Sequence, residues 1–171
     1  LADRNAGGIA GAISLENDLD PEDDLQINGD ISLNSESELR SVILGCHNRG
    51  PVTVKKQSGG GIVGRMAMGL VKACVNTGAV EGEKADYVGG IAGRSETYLA
   101  DCFSRSVLAG NQYVGGIAGY GTEVTGCHAV TEIAAATKFA GGILGAAAQL
   151  PDEEPGLILE NRYYLAGKDL G

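Results

Sequence analysis

The chain rewrites one short phrase five times. Gly-Gly-Ile-Ala-Gly opens at Gly7, Gly-Gly-Ile-Val-Gly at Gly60, Gly-Gly-Ile-Ala-Gly again at Gly89 and Gly115, and Gly-Gly-Ile-Leu-Gly at Gly141. The spacings are 53, 29, 26 and 26 residues. A fixed period in this range marks a stacked repeat, whose units bury their apolar faces only against their neighbours. No other feature of the sequence constrains the fold as tightly.

Each repeat has a second recognisable half. Cys46-His47-Asn48-Arg49-Gly50-Pro51-Val52 matches Cys74-Val75-Asn76-Thr77-Gly78-Ala79-Val80, and the segments opening at Cys102 and Cys127 are looser copies. Every cysteine lies 13 to 15 residues before the next Gly-Gly-Ile, so all four occupy one repeat position.

A unit of about 26 residues is short for helical repeats, which mostly run to about 33 or more. The apolar stretches (Tyr87-Val88-Gly89-Gly90-Ile91, Val52-Thr53-Val54) are too short, β-branched and glycine-interrupted for helices, and no leucine-rich frame is present. One coil per repeat remains, with two or three short strands joined by tight turns and coils stacked about 4.8 Å apart. The expected fold is therefore all-β: a parallel β-helix of five to six coils with repeats of about 26 residues.

Two details follow. Strict alternation puts Val88 and Ile91 on opposite faces. If both are buried, Gly89-Gly90 must bend or bulge between them; glycine in a strand marks a bulge or a close backbone approach, and two together permit a sharp corner with positive φ. The isoleucines at 9, 62, 91, 117 and 143 should then stack as an inward ladder, with Cys46, Cys74, Cys102 and Cys127 as a second. A column of small apolar fillers is the favoured reading of the cysteines. In-register side chains point the same way rather than at each other, which counts against disulfides. One ligand per coil cannot build a zinc tetrahedron.

The whole chain, 1–171, reads as a single solenoid domain. Residues 13–40 form an acidic insertion or a degenerate coil, and an insertion plus a degenerate turn is the favoured account of the 53-residue spacing. Residues 42–145 carry the regular repeats. Residues 146–171 form a loop around Pro151–Gly156 and a terminal cap, with Arg162 about where a fifth cysteine would fall. The 28 glycines, absent tryptophan and 5% aromatic content suit a narrow core built from Ile, Val, Leu, Ala and Cys.

Charge is localised. The net charge is −9, yet between Asn5 and Leu39 there are nine acids and no base, and the rest carries 13 of each. That leaves no electrostatic footprint for nucleic acid or an anionic membrane. No apolar run approaches the roughly 20 residues that span a bilayer. The chain starts at Leu1 without a methionine or signal-like segment, and is expected to be a piece of a longer protein.

Gly-Gly-Ile-x-Gly at this period, with Cys-x-Asn-x-Gly-x-Val between copies, resembles the GLUG-motif repeats of large secreted bacterial proteins. These occur in adhesin-like surface proteins and beside some immunoglobulin A proteases. The resemblance covers nearly all of 59–145 and more loosely the two ends. It implies an extracellular or cell-surface β-helical module inside a larger protein, and it carries over no catalytic residue.

The candidate sites are few. Asp18, Asp20, Glu22, Asp23 and Asp24 supply carboxylates in a flexible loop of the kind calcium favours, although the full calcium-loop frame is missing. His47 and His128 each follow a cysteine, should point outward, and lie three coils apart, too far to act together. Neither Gly-x-Ser-x-Gly nor His-Glu-x-x-His is present. Tyr87 and Tyr113 share a repeat position with Phe139 next in line, and an exposed aromatic stripe there would suit a host glycan or an extracellular protein. The functional expectation is a non-enzymatic spacer or adhesive module. A polysaccharide-binding or polysaccharide-degrading β-helix and an accessory domain of a secreted protease are the alternatives.

Overall fold

The structure, a computed structural model, describes residues 2–14, 41–135, 138–147, 158–160 and 163–164. These residues form strands and no helix. All pairing between strands is parallel and runs from one repeat to the next, so the chain is a β-solenoid.

Four sheets make up its sides. The first holds Asn5–Gly7, Ser58–Gly60, Tyr87–Gly89, Gln112–Gly115 and Lys138–Gly141, each ending on the first glycine of a signature. The chain then bends at the second glycine and the isoleucine and enters a long sheet, represented by Ala92–Ala100 and Ala118–Thr125. A corner at the cysteine leads to a sheet of two-residue strands: His47–Asn48, Val75–Asn76, Phe103–Ser104, His128–Ala129 and Tyr163–Tyr164. The last sheet, with Val52–Thr53, Val80–Gly82, Val107–Gly110 and Glu132–Ala135, returns the chain to the next signature.

Five strands in the signature sheet bound four turns, fewer than the five to six coils expected. The difference is one of counting, because a signature opens each turn rather than filling it.

The 53-residue spacing also resolves differently from expectation. Gly7 pairs directly with Gly60, so these two signatures lie on adjacent rungs with no degenerate turn between them. Ala10–Ile13 pairs with Val63–Met66, and Val42–Leu44 pairs with Leu70–Lys72. Val63–Met66 and Leu70–Lys72 both pair with the single strand Ala92–Ala100 of the next rung. Residues 14–41, 28 in number, therefore stand where the next rung has only three, 67–69. Without the extra 25 the spacing becomes 28, inside the regular range. At the other end, Ile158–Glu160 and Tyr163–Tyr164 pair with Glu123–Thr125 and His128–Ala129 and add part of a further rung.

The isoleucine ladder forms. Backbone hydrogen bonds run from Ile9 N to Ile62 O (3.0 Å), Ile62 N to Ile91 O (2.9 Å), Ile91 N to Ile117 O (2.8 Å) and Ile117 N to Ile143 O (2.9 Å). The three inner side chains are fully buried, Ile143 is half-buried, and Ile9, on the first rung, is exposed. Burying one such side chain stabilises by roughly 1.5–3 kcal/mol.

The interior is divided into two columns. One holds Ile62, Ile91 and Ile117 with Val71, Leu99, Val124 and the buried cysteines. The other holds Val54, Val80, Val88, Leu108 and Val114. Val88 and Ile91 are both buried, as expected, but in different columns. The bend between them does not use positive φ: among the described residues the glycines with positive φ are Gly45, Gly69 and Gly126. Of the two roles expected of glycine here, close approach is the one that the structure uses. A Cβ on Gly89 would collide with the Ala92 carbonyl, and one on Gly90 with the Gly116 carbonyl of the next rung and the Ser104 hydroxyl.

Candidate functional site

The left-handed turn is placed at the cysteine corner. Gly45 (φ 64°), Ala73 (φ 52°), Asp101 (φ 54°) and Gly126 (φ 61°) each immediately precede a cysteine. A left-handed residue there turns the chain from one side of the solenoid to the next and aims the following thiol inward. Each thiol then donates to the carbonyl two residues earlier: Leu44 O at 3.6 Å, Lys72 O at 3.2 Å, Ala100 O at 3.2 Å and Thr125 O at 3.4 Å. Cys74, Cys102 and Cys127 also reach a carbonyl of the preceding rung. All four cysteines are free; Cys46 is half-buried and the other three are buried.

This stacking shifts their acidity. The interaction with the Cys127 side chain pushes the Cys102 thiol up to about 12, opposed by the Cys74 side chain and reinforced by burial. Cys127 is lowered, chiefly through its interaction with the Cys102 side chain and against the effect of burial. Cys74 is raised by its hydrogen bond to Cys102 and by burial. Cys46 is raised chiefly by burial.

The Asn-x-Gly of the second half-repeat forms a polar ladder. Asn76, fully buried, donates to Gly78 O (2.9 Å) and accepts from Gly78 N (3.1 Å), closing its own turn. Asn48 does the same with Gly50 and donates to Asn76 Oδ1 at 2.9 Å. In the next rung a Ser104–Ser106 hydroxyl pair at 3.0 Å fills this position.

The aromatic stripe is continuous and carries an unexpected cation. Tyr87 stacks on Tyr113 (centroids 5.2 Å apart, planes at 12°), and Tyr113 stacks on Phe139 (4.9 Å, 4°). Tyr113 (φ 44°) and Phe139 (φ 53°) are in the left-handed region, which is unusual for bulky residues. Beside the stripe, Tyr120 meets Tyr87 edge-on at 6.0 Å. The Arg94 guanidinium lies 5.6 Å from the Tyr87 ring centre and 5.1 Å from that of Tyr120. Glu96 holds Arg94 at 2.7 Å and Arg65 at 3.7 Å. The Nε atoms of both arginines are covered and make no hydrogen bond.

Sequence reasoning found the rings and missed the arginines. The signal was present: Arg65, Arg94 and Tyr120 each follow the last glycine of a signature and pair in register along the long sheet.

The histidines fall in one column three rungs apart, through the pairings His47↔Val75, Val75↔Phe103 and Phe103↔His128. His47 Nε2 lies 3.4 Å from the Thr77 hydroxyl. The calcium candidates Asp18, Asp20, Glu22, Asp23 and Asp24 lie outside the described residues, as do Arg162 and the 151–156 loop. Among the described residues no three His, Cys, Asp or Glu side chains are grouped to hold a metal ion. No helix there is long and apolar enough to cross a membrane.

The fold and its ladders define a β-solenoid repeat protein. Compared with protein families, curated proteins and solved structures, the chain matches none.

Proposed function

We propose that this chain is a non-catalytic module of the GLUG-repeat kind, part of a larger secreted or cell-surface bacterial protein. It serves as a rigid spacer that also offers a binding face. The observation that supports this reading is the stripe of Tyr87, Tyr113 and Phe139 with Arg94 and Tyr120 beside it. Stacked aromatic rings and a guanidinium, supported by two left-handed residues, make a preorganised edge of mixed apolar and cationic character. Backbone strain kept at such a position suggests use. A host glycan or an extracellular protein is the class of ligand it suits.

The test is a binding screen of the chain against glycans and matrix proteins, with and without calcium, repeated with Tyr113→Ala and Arg94→Ala. Binding that both substitutions weaken supports the assignment. Binding unaffected by either removes the stripe from it. Turnover of polyuronides by the pure chain would replace the spacer reading with the polysaccharide-degrading one.

A further inference from the structure

We propose that Cys46 and Cys74, at the first-rung end of the thiol column, form a two-coordinate site for a soft monovalent cation of the Cu(I) type. The argument starts from repetition. The four thiols occupy equivalent turns, each after a left-handed residue and each donating to the carbonyl two positions back. Their corners are tied rung to rung by Val75 N to Cys46 O (2.8 Å), Phe103 N to Cys74 O (2.9 Å) and His128 N to Cys102 O (2.8 Å). Side chains with the same setting on adjacent parallel rungs repeat at the ladder spacing, about 4.8 Å.

That spacing selects among the chemistries open to thiols. A disulfide needs Cβ atoms about 3.5–4.5 Å apart and sulfurs about 2.05 Å apart, closer than an unperturbed stack allows. A zinc tetrahedron needs four converging ligands, whereas each gap in the column is bounded by two sulfurs. Two bonds of about 2.3 Å, the zinc–thiolate length, placed end to end span about 4.6 Å, and linear bonds are somewhat shorter, so the span is close to the rung spacing. Linear two-coordination therefore fits the column with a small side-chain adjustment rather than a backbone shift. Soft thiolates select Cu(I) over harder ions.

Access and charge choose the pair. Cys46 is half-buried, while Cys74, Cys102 and Cys127 are fully buried. Two thiolates and one monovalent cation leave one net negative charge, which is costly away from water. The Cys46 end is where water can reach it. Cys46 also gives up least, a single long hydrogen bond to Leu44 O at 3.6 Å. On binding, each Sγ–H bond breaks, its proton passes to solvent and an S–metal bond forms. Two protons leave per ion and no electron is transferred.

The experiment is an anaerobic titration of the full chain with Cu(I) against a chromophoric Cu(I) chelator, with proton release recorded and X-ray absorption measured on the loaded protein. One ion per chain, about two protons released per ion and a shell of two sulfurs are expected. Cys46→Ser should lower the affinity by more than the roughly 10–100-fold that loss of an outer-shell partner costs, because it removes one of two ligands. Cys127→Ser, two rungs beyond Cys74, should leave it unchanged if circular dichroism shows it folded. The X-ray absorption result stands without either variant. A shell of three or four ligands, nitrogen or oxygen donors, Zn(II) bound as tightly as Cu(I), or a Cys46–Cys74 disulfide formed on exposure to air would each overturn the proposal.

Discussion

Gly93 meets Gly59 backbone to backbone: a Cβ on Gly93 would lie 2.7 Å from the Gly59 nitrogen and 2.7 Å from the Gly64 carbonyl oxygen. The third glycine of the signature thus lets the long sheet press against the signature sheet with no side chain between them. Gly93→Ala cannot be relieved by rotating a side chain, because its neighbours are main chain. It should lower the unfolding free energy by about 2–3 kcal/mol, as overpacking does. At Gly50 the nearest atom to an added Cβ is Asn48 Oδ1, 3.8 Å away. Gly50→Ala should leave stability unchanged or raise it by about 0.5 kcal/mol by restricting the unfolded chain. Urea unfolding of both variants checks the contrast, and equal losses would refute the close-approach account.

Asn76 offers a second test, because three hydrogen bonds converge on its amide. Asn76→Ala strips the partners from Gly78 N and Gly78 O in a buried turn. It should cost about 2–3 kcal/mol, since buried groups left unpaired pay their full desolvation. Asn48→Ala removes the same local pattern where the turn is exposed, and should cost about 1 kcal/mol or less. Chemical denaturation midpoints of the two variants should differ accordingly.

How far the sequence foretold this structure depends on what each residue type announces. The isoleucine and cysteine columns were legible because period alone puts equivalent residues on equivalent rungs. The split interior was not, since Val88 and Ile91 sit three residues apart and read as neighbours in one core. The left-handed corner was hidden because glycine marks it at Gly45 and Gly126 while Ala73 and Asp101 fill it elsewhere. The glycine pairs of the signature admitted either a close approach or a positive-φ corner, and among the described residues only the first is used. The arginine beside the aromatic stripe escaped notice because its repeat position holds arginine only at Arg65 and Arg94 and Ala12, Tyr120 and Ala146 on the other rungs, and repetition is easiest to see when the residue repeats as well as the position.

Ala73 is exposed and held at φ 52°. A left-handed conformation costs an L-residue with a Cβ roughly 1–2 kcal/mol. Glycine removes that strain but adds about 0.5–1 kcal/mol of unfolded-state entropy. Ala73→Gly should therefore raise stability by about 0.5–1 kcal/mol. Thermal unfolding would show it, and a drop in the melting temperature would contradict the strain assignment.

The rings of Tyr113 and Phe139 are stacked, nearly parallel, with centroids 4.9 Å apart. Stacked pairs of this kind contribute about 0.5–1.5 kcal/mol beyond the area they bury. A double-mutant cycle with Tyr113→Ala and Phe139→Ala should return a coupling in that range. Arg94→Met, which keeps much of the alkyl stem and removes the guanidinium, should cost about 1 kcal/mol, from cation–π and ion-pair terms together. A coupling near zero would mean that the rings merely lie side by side.

The thiol column makes stability depend on alkaline pH, and the direction follows from Cys102. Its folded value is pushed up to about 12 from an ordinary 9.0, by its interaction with the Cys127 side chain and by burial, against the Cys74 side chain. Below the ordinary value both folded and unfolded chains keep the proton, and the contribution is fully present. Between the two values the unfolded chain ionises while the folded chain does not. The unfolded state is then favoured, and the contribution is lost as pH rises toward the folded value. Cys74, raised through its hydrogen bond to Cys102 and by burial, acts in the same direction. Cys127, lowered chiefly through its interaction with the Cys102 side chain, opposes part of it. Urea titrations at a series of pH values should show stability falling from about pH 9 upward, within the alkaline range where thiols ionise. The slope should be shallower in Cys102→Ala. An identical slope in that variant would assign the alkaline loss to other groups, and a rise in stability with pH would contradict the shift itself.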